Sequence, residues 1–204
     1  MVFTRIRRFV VRGVVAVLAV LTCAVGLVFA EHRRTDADLD AILSAYLSDG
    51  ILHDIHDWGS GQGILVVLQV ESQQPGFWRW PWLYPFDRRL KFAESSFATR
   101  CSFVFSNVLP SNLQFALHLP PGVKTDMASR SDLERTSFTS EFQARFPNNF
   151  GYVAVSRAGI NFNRTEAIFY LDHFCGLCGG GRYVLMRKVN GGWKIIDEHY
   201  TWIS

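Results

Sequence analysis

The last fifty residues constrain the fold of this chain most. Four β-rich or alternating runs, Tyr152–Arg157, Glu166–Leu171, Arg182–Val189 and Trp193–Trp202, follow one another with turn-forming residues between them. Connections that short join antiparallel neighbours, because a parallel return needs a crossover of a dozen or more residues. Between the last two runs stands Asn190-Gly191. Both central positions of the favoured two-residue hairpin turn need positive φ, which Asn and Gly adopt at least cost. A C-terminal antiparallel β-meander is therefore expected.

Upstream, the periodicity changes. Leu39, Ile42, Leu43, Tyr46 and Leu47 recur at steps of three and four, with Thr35 or Asp36 able to cap the first turn and Asp49-Gly50 to end it, the pattern of an amphipathic helix. Ile64 to Val70 is a short β-branched run bounded by glycines and by Gln73-Gln74-Pro75-Gly76, and reads as a strand. Phe97 to Leu119 mixes short apolar runs with turn signals at Asn107 and Pro110, so only short elements are expected there. A second helix is expected over Ser131–Phe146, where Ser131 precedes Glu134 as a capping box and Phe138, Phe142 and Phe146 stand four apart, before Pro147-Asn148-Asn149 stops it. The class is α+β, with helices packed on one face of a mainly antiparallel sheet. Residues 31–204 form one domain of a size that buries roughly 70% of its unfolded surface.

The N-terminus sets the compartment. Arg5, Arg7, Arg8 and Arg12 precede an uncharged apolar run from Gly13 to Ala30, and Glu31-His32-Arg33-Arg34 returns the chain to water. As a helix the run spans about 27 Å, close to a hydrocarbon core of roughly 30 Å, which favours a retained transmembrane anchor. Val28-Phe29-Ala30 also presents small residues at the −3 and −1 positions of a signal-peptidase site, so a cleaved signal peptide is the alternative. In both cases the arginines hold the N-terminus in the cytoplasm and residues 31–204 cross to the far side. Cys23 reads as a small residue of the apolar helix.

Lys and Arg total 21 against 18 Asp and Glu, but four of the arginines belong to the leader. The exported part is thus close to neutral and has no broad basic face for a phosphate backbone, which excludes nucleic acid as the expected partner.

A C-terminal constellation carries a resemblance. Ser156-Arg157, Gly159-Ile160-Asn161, Ala167, the Cys175 to Gly179 turn and the terminal Trp202-Ile203-Ser204 are similar to the end of a family of bacterial exported proteins of unknown function. The resemblance implies an extracytoplasmic α+β domain and supplies no activity.

Three further segments are candidate sites. Cys175-Gly176-Leu177-Cys178 has the spacing for two sulfurs to pair across a tight turn. Gly179-Gly180-Gly181 opposes the helix that a thioredoxin-type motif requires, so a structural disulfide at a hairpin tip is expected. A free pair, a redox turn, or a zinc site completed by Cys101 and His173 or His199 are the alternatives. In His53-Asp54-Ile55-His56-Asp57, His53 and His56 have the composition of a divalent-metal site or an oriented base, against the plainer reading of a solvated loop. From Phe77 to Phe92 the chain holds seven aromatic residues, Trp78, Trp80, Trp82 and Tyr84 among them, interleaved with Arg79, Arg88, Arg89 and Lys91. Indole rings and arginine stems suit a membrane–water interface or a partner surface, while an ordered loop laid over the sheet is the alternative.

Asp197-Glu198-His199 lies in one strand, so alternation splits it between two faces. Asn163-Arg164-Thr165 is a glycosylation sequon that matters only in a glycosylating secretory organism. No catalytic residue and no cofactor are assigned. A membrane-tethered or secreted extracytoplasmic protein acting as a non-enzymatic binding module is expected. The alternative is a thiol-dependent or hydrolytic enzyme using Cys175 and Cys178 or His53 and His56.

Overall fold

The computed structural model of the chain describes residues 22, 26, 30, 38–50, 64–73, 94–136, 140–175 and 179–203. Helix α1 covers 38–49. It is followed by β1 (Ile64–Gln69), α2 (Phe97–Ser106), β2 (Val123–Ala128), α3 (Arg130–Thr136) and α4 (Ser140–Arg145). The remaining strands are β3 (Asn149–Val155), β4 (Gly159–Ile160), β5 (Glu166–Phe174), β6 (Gly179–Val189) and β7 (Gly192–Ile203). These seven strands form one sheet in the order β2-β1-β3-β5-β6-β7, with β4 pairing β5.

The C-terminal half is the expected meander. Strands β5, β6 and β7 pair antiparallel in sequence order. Asn190 and Gly191 take φ of 52° and 85°, and Val189 faces Gly192 across them. The N-terminal half departs from expectation, because β1 runs parallel to both β2 and β3. Strand β2 was not legible beforehand: Val123-Lys124-Thr125-Asp126-Met127-Ala128 lies at the sheet edge, where one side of the ladder needs no partner and the residues need no apolar period. The chain from β2 to β3 crosses over β1, and the crossover is α3 and α4.

That crossover overturns the one-sided arrangement. Leu39, Ile42, Leu43, Tyr46 and Leu47 of α1 pack on Val66, Leu68, Val153, Phe169, Leu171 and Val184. On the opposite face Phe103 of α2 meets Ile168, Tyr170, Tyr183 and Leu185, and Leu133, Phe142 and Phe146 cover Val67 and Tyr152. Helices therefore cover both faces. A strand with both faces buried reads as a continuous apolar run, which is why Leu65-Val66-Val67-Leu68 shows no alternation.

The helix expected over 131–146 is described over 130–136 and 140–145, with 137–139 outside the described residues. Its cap also sits earlier than expected: Ser129 Oγ accepts the N–H of Asp132 at 3.2 Å, so Ser129, not Ser131, occupies the capping position. The 97–119 stretch contains a ten-residue helix with Ser96 as N-cap. Asn107 closes that helix and stitches it to the sheet, its amide donating to the carbonyls of Phe103 and Arg157 and its oxygen accepting Arg157 N–H at 2.8, 2.9 and 3.0 Å. Gly159 lets α2 lie directly on β4, since a Cβ there would overlap the backbone of Phe103.

The leader residues 13–30 fall largely outside the described residues. Thr22, Gly26 and Ala30 are helical and exposed. Among the described residues no helix is long and apolar enough to cross a membrane.

The start of α2 is tied to the sheet through Glu166. Its carboxylate accepts Ser96 N–H and Thr99 Oγ1 at 2.7 Å each, and the Arg187 Nε–H at 3.1 Å. Burial works to raise the pKa of this carboxyl, but the hydrogen bonds from Thr99, Ser96 and Arg187 prevail and hold it below the ordinary glutamate value of 4.5. A carboxyl depressed in the folded state stabilises the protein above its unfolded pKa, and that stability is lost as pH falls through the folded value. Glu166→Gln should therefore lower stability near neutral pH by roughly 1.5–3 kcal/mol and flatten the acid-side loss below pH 4.5. Urea denaturation at a series of pH values checks this. Parallel acid limbs for the two proteins would refute it.

Candidate functional site

Strand β5 carries Ile168, Tyr170, Asp172 and Phe174 at two-residue steps, so they share one face of the sheet. Ile168 and Tyr170 lie under α2, and Phe174 packs with the cluster of α3 and α4. Asp172 falls at the seam between these two apolar clusters and is only 3% exposed. A carboxylate in that position must be supplied with donors.

Three are in place, one from the same strand and two from distant parts of the chain. Tyr170 Oη–H and Trp202 Nε1–H donate to Asp172 Oδ1 at 2.7 and 2.8 Å, and Gln73 Nε2–H donates to Oδ2 at 2.6 Å. Gln73 Oε1 in turn accepts Arg130 Nη2–H at 2.8 Å, and the Arg130 backbone N–H donates to Glu71 Oε2 at 2.6 Å. An acceptor facing Arg130 and a donor facing Asp172 leave the Gln73 amide only one orientation. Gly181 makes the cluster possible, because a Cβ there would overlap Trp202 Nε1, Tyr170 Oη and Asp172 Oδ1.

Burial pushes the Asp172 carboxyl up, while the donors from Tyr170, Trp202 and Gln73 and the charge of Arg130 draw it back. Tyr170 is pushed up to about 12, chiefly by burial and, against the opposing hydrogen bond with Thr201, by the hydrogen bond it donates to Asp172. Tyr152, stacked on Phe174 with centroids 4.7 Å apart, is raised by burial and by the charge of Asp172. A general base must offer a free lone pair within hydrogen-bond reach of a substrate proton, whereas Asp172 is buried and already accepts two hydrogen bonds on Oδ1 and one on Oδ2. The arrangement is a clamp that joins β5, β7, the strand end after β1 and α3.

The residues singled out from sequence do not converge on this cluster. Cys175 follows directly on β5, while Cys178 lies outside the described residues. Trp78, Arg79, Trp80, Trp82 and Tyr84, with the rest of 77–92, lie outside them too, as do His53 and His56. Cys101 is a free thiol on α2, partly buried, and burial pushes its pKa up, outweighing the nearby Arg100, which is the reverse of an activated nucleophile. His173 is buried on β5 and His199 is exposed on β7. Among the described residues no three His, Cys, Asp or Glu side chains are grouped to hold a metal ion. Glu198 points to α1, where its Oε1 accepts Tyr46 Oη–H at 2.8 Å and meets Arg182 Nη1 at 3.4 Å, while Asp197 and His199 are exposed.

The Asp172 clamp was missed from sequence, although one signal was present: a carboxylate inside the otherwise apolar Ile168-Phe169-Tyr170-Leu171-Asp172 run. A second surface was also missed. Phe97, Cys101, Phe105 and Leu109 are spaced by four along the outer side of α2 and the turn after it, and Phe97, Phe105 and Leu109 are exposed. No family model, no curated protein and no solved structure matches the chain.

The clamp has a testable polarity. Asp172→Asn keeps an oxygen for Tyr170 and Trp202 but turns an amide N–H toward Gln73, setting donor against donor along the path to Arg130. That should cost about 1–3 kcal/mol. Adding Gln73→Glu supplies an acceptor to both neighbours and should recover a large part of the loss, a coupling read from a double-mutant cycle by urea denaturation. Strictly additive effects would show that the chain of hydrogen bonds carries no energy.

Proposed function

We propose that the protein is an extracytoplasmic binding module, held at the membrane by residues 13–30 or released after Ala30, and a member of the exported family its C-terminus resembles. The observation that carries the binding reading is the exposed apolar stripe of α2 together with where the flanks of the aromatic segment are tied. Gln73, just before that segment, is bonded to Asp172. Glu94, just after it, is bonded to Arg187. Tyr170 and Leu185, neighbours of these two partners along β5 and β6, pack with Phe103 of α2. Both described flanks of the aromatic segment are thus tied on the α2 side of the sheet, and on this reading the aromatic residues between Phe77 and Phe92 complete a recognition surface with Phe105 and Leu109. A non-enzymatic role is supported by the buried Asp172 and Glu166 carboxylates, each already accepting three hydrogen bonds that hold structure. A photo-crosslinking residue introduced at Trp80 or at Phe105 should yield the same discrete adduct in cells, and one at Ile203 should not. Absence of an adduct from both positions would defeat the reading.

The module further includes a Cys175–Cys178 disulfide. Phe174 faces Gly179 across the β5–β6 ladder. That leaves Cys175 to Cys178 as the connection between the two strands, and two residues between the cysteines is a spacing that lets the sulfurs pair across a tight turn. In the exported protein, a maleimide probe applied without reductant should label Cys101 and spare Cys175 and Cys178, and reductant should expose both. Labelling of all three in unreduced protein would rule the bridge out.

A further inference from the structure

One end of the sheet combines the point where the leader joins the domain with exposed aromatic and cationic groups. Asp38, at the first described turn of α1, is bound by Arg164 Nε at 2.6 Å and approached by Lys188 Nζ at 3.9 Å. This fixes where the chain from the leader enters the fold. Between Ala30 and Asp38 eight residue steps can span at most about 28 Å, roughly the width of a small domain, so this end of the sheet cannot stand far from whatever surface the leader is embedded in.

The turn that carries Arg164 is built to present a side chain rigidly. Asn161 Oδ1 accepts Thr165 N–H at 2.9 Å, Arg164 N–H donates to Asn161 O at 3.0 Å, and Arg164 takes φ of 56°. At its tip Phe162 is 85% exposed. A short hydrogen-bonded turn places no demand for an apolar residue there, and holding a phenyl ring in water is unfavourable. On the other face of the sheet, at the same end, the start of α2 exposes Phe97 with Arg100 over its ring at 6.0 Å. Aromatic rings flanked by Arg and Lys are suited to the headgroup layer, where the ring meets acyl chain and the cation meets phosphate.

We propose that this end of the domain is a foot that rests on the phospholipid bilayer, with Phe162 and Phe97 entering the interface and Arg164, Lys188 and Arg100 set against lipid phosphates. The inference rests on the reading of residues 13–30 as a membrane segment. It adds an orientation to it: the sheet stands on the end that carries the β4–β5 turn, and the C-terminal end of β7, where Ile203 is 73% exposed, points away.

The test uses the full chain with Cys101→Ser, reconstituted in vesicles of phosphatidylethanolamine and phosphatidylglycerol. A nitroxide is attached at Phe162→Cys, at Phe97→Cys, or at Ile203→Cys, and a sample without an introduced cysteine supplies the background. The foot requires that nitroxides at 162 and 97 relax more with molecular oxygen than with a water-soluble nickel chelate, and that the one at 203 does the reverse. Nickel-dominated relaxation at 162 and 97, in protein that stays on the vesicles through an alkaline carbonate wash, overturns the foot and leaves the anchor standing. Release of the protein by that wash overturns the anchor, and the foot with it.

Discussion

A strand covered on both faces can keep a polar side chain only if neighbouring elements bring it partners, and β5 imposes that condition on the whole domain. All of its residues from Glu166 to His173 are buried. Glu166 and Asp172 therefore act as fixed points around which other parts of the chain are arranged. The first holds the N-terminus of α2 and the Arg187 side chain. The second holds the strand end after β1 and the C-terminal Trp202. Without those partners each carboxylate would carry an uncompensated desolvation cost comparable to a sizeable share of the stability of a small domain.

This requirement links the fold to the surface it presents. Because Asp172 and Glu166 draw in Gln73 and Ser96, the chain between 73 and 96 begins and ends on the same side of the sheet as α2. A carboxylate whose lone pairs are committed to holding structure is poorly placed to move protons, and a thiol raised by burial is poorly placed to attack.

Much of the architecture was legible in the chain. The apolar period of Leu39, Ile42, Leu43, Tyr46 and Leu47 describes a helix face that is buried in full, and the alternating C-terminal runs pair in order. The neighbours of β1 were not legible, because a continuous apolar run states that both faces are buried without stating which strands flank it or in which direction. Phe142 and Phe146 do pack together, with ring centroids 5.1 Å apart, as a four-residue repeat reports a shared direction of burial. Asp172 stood in plain view, but its role depends on residues 73, 130 and 202, and nothing local ties those together.

By itself the sequence determined what depends on local backbone preference and short periods: the positive-φ turn at Asn190-Gly191, the buried face of α1, the positions of the last four long strands, and the α+β class. Those features are decided within one or two turns of chain, where sterics and side-chain period act directly. The tertiary structure alone decided that the sheet is mixed and covered on both faces, that α2 exposes an apolar stripe, and that two buried carboxylates find partners 70 and 99 residues away. Pairings at such separations are selected by which burial arrangement satisfies every polar group at once, and that is a property of the assembled core.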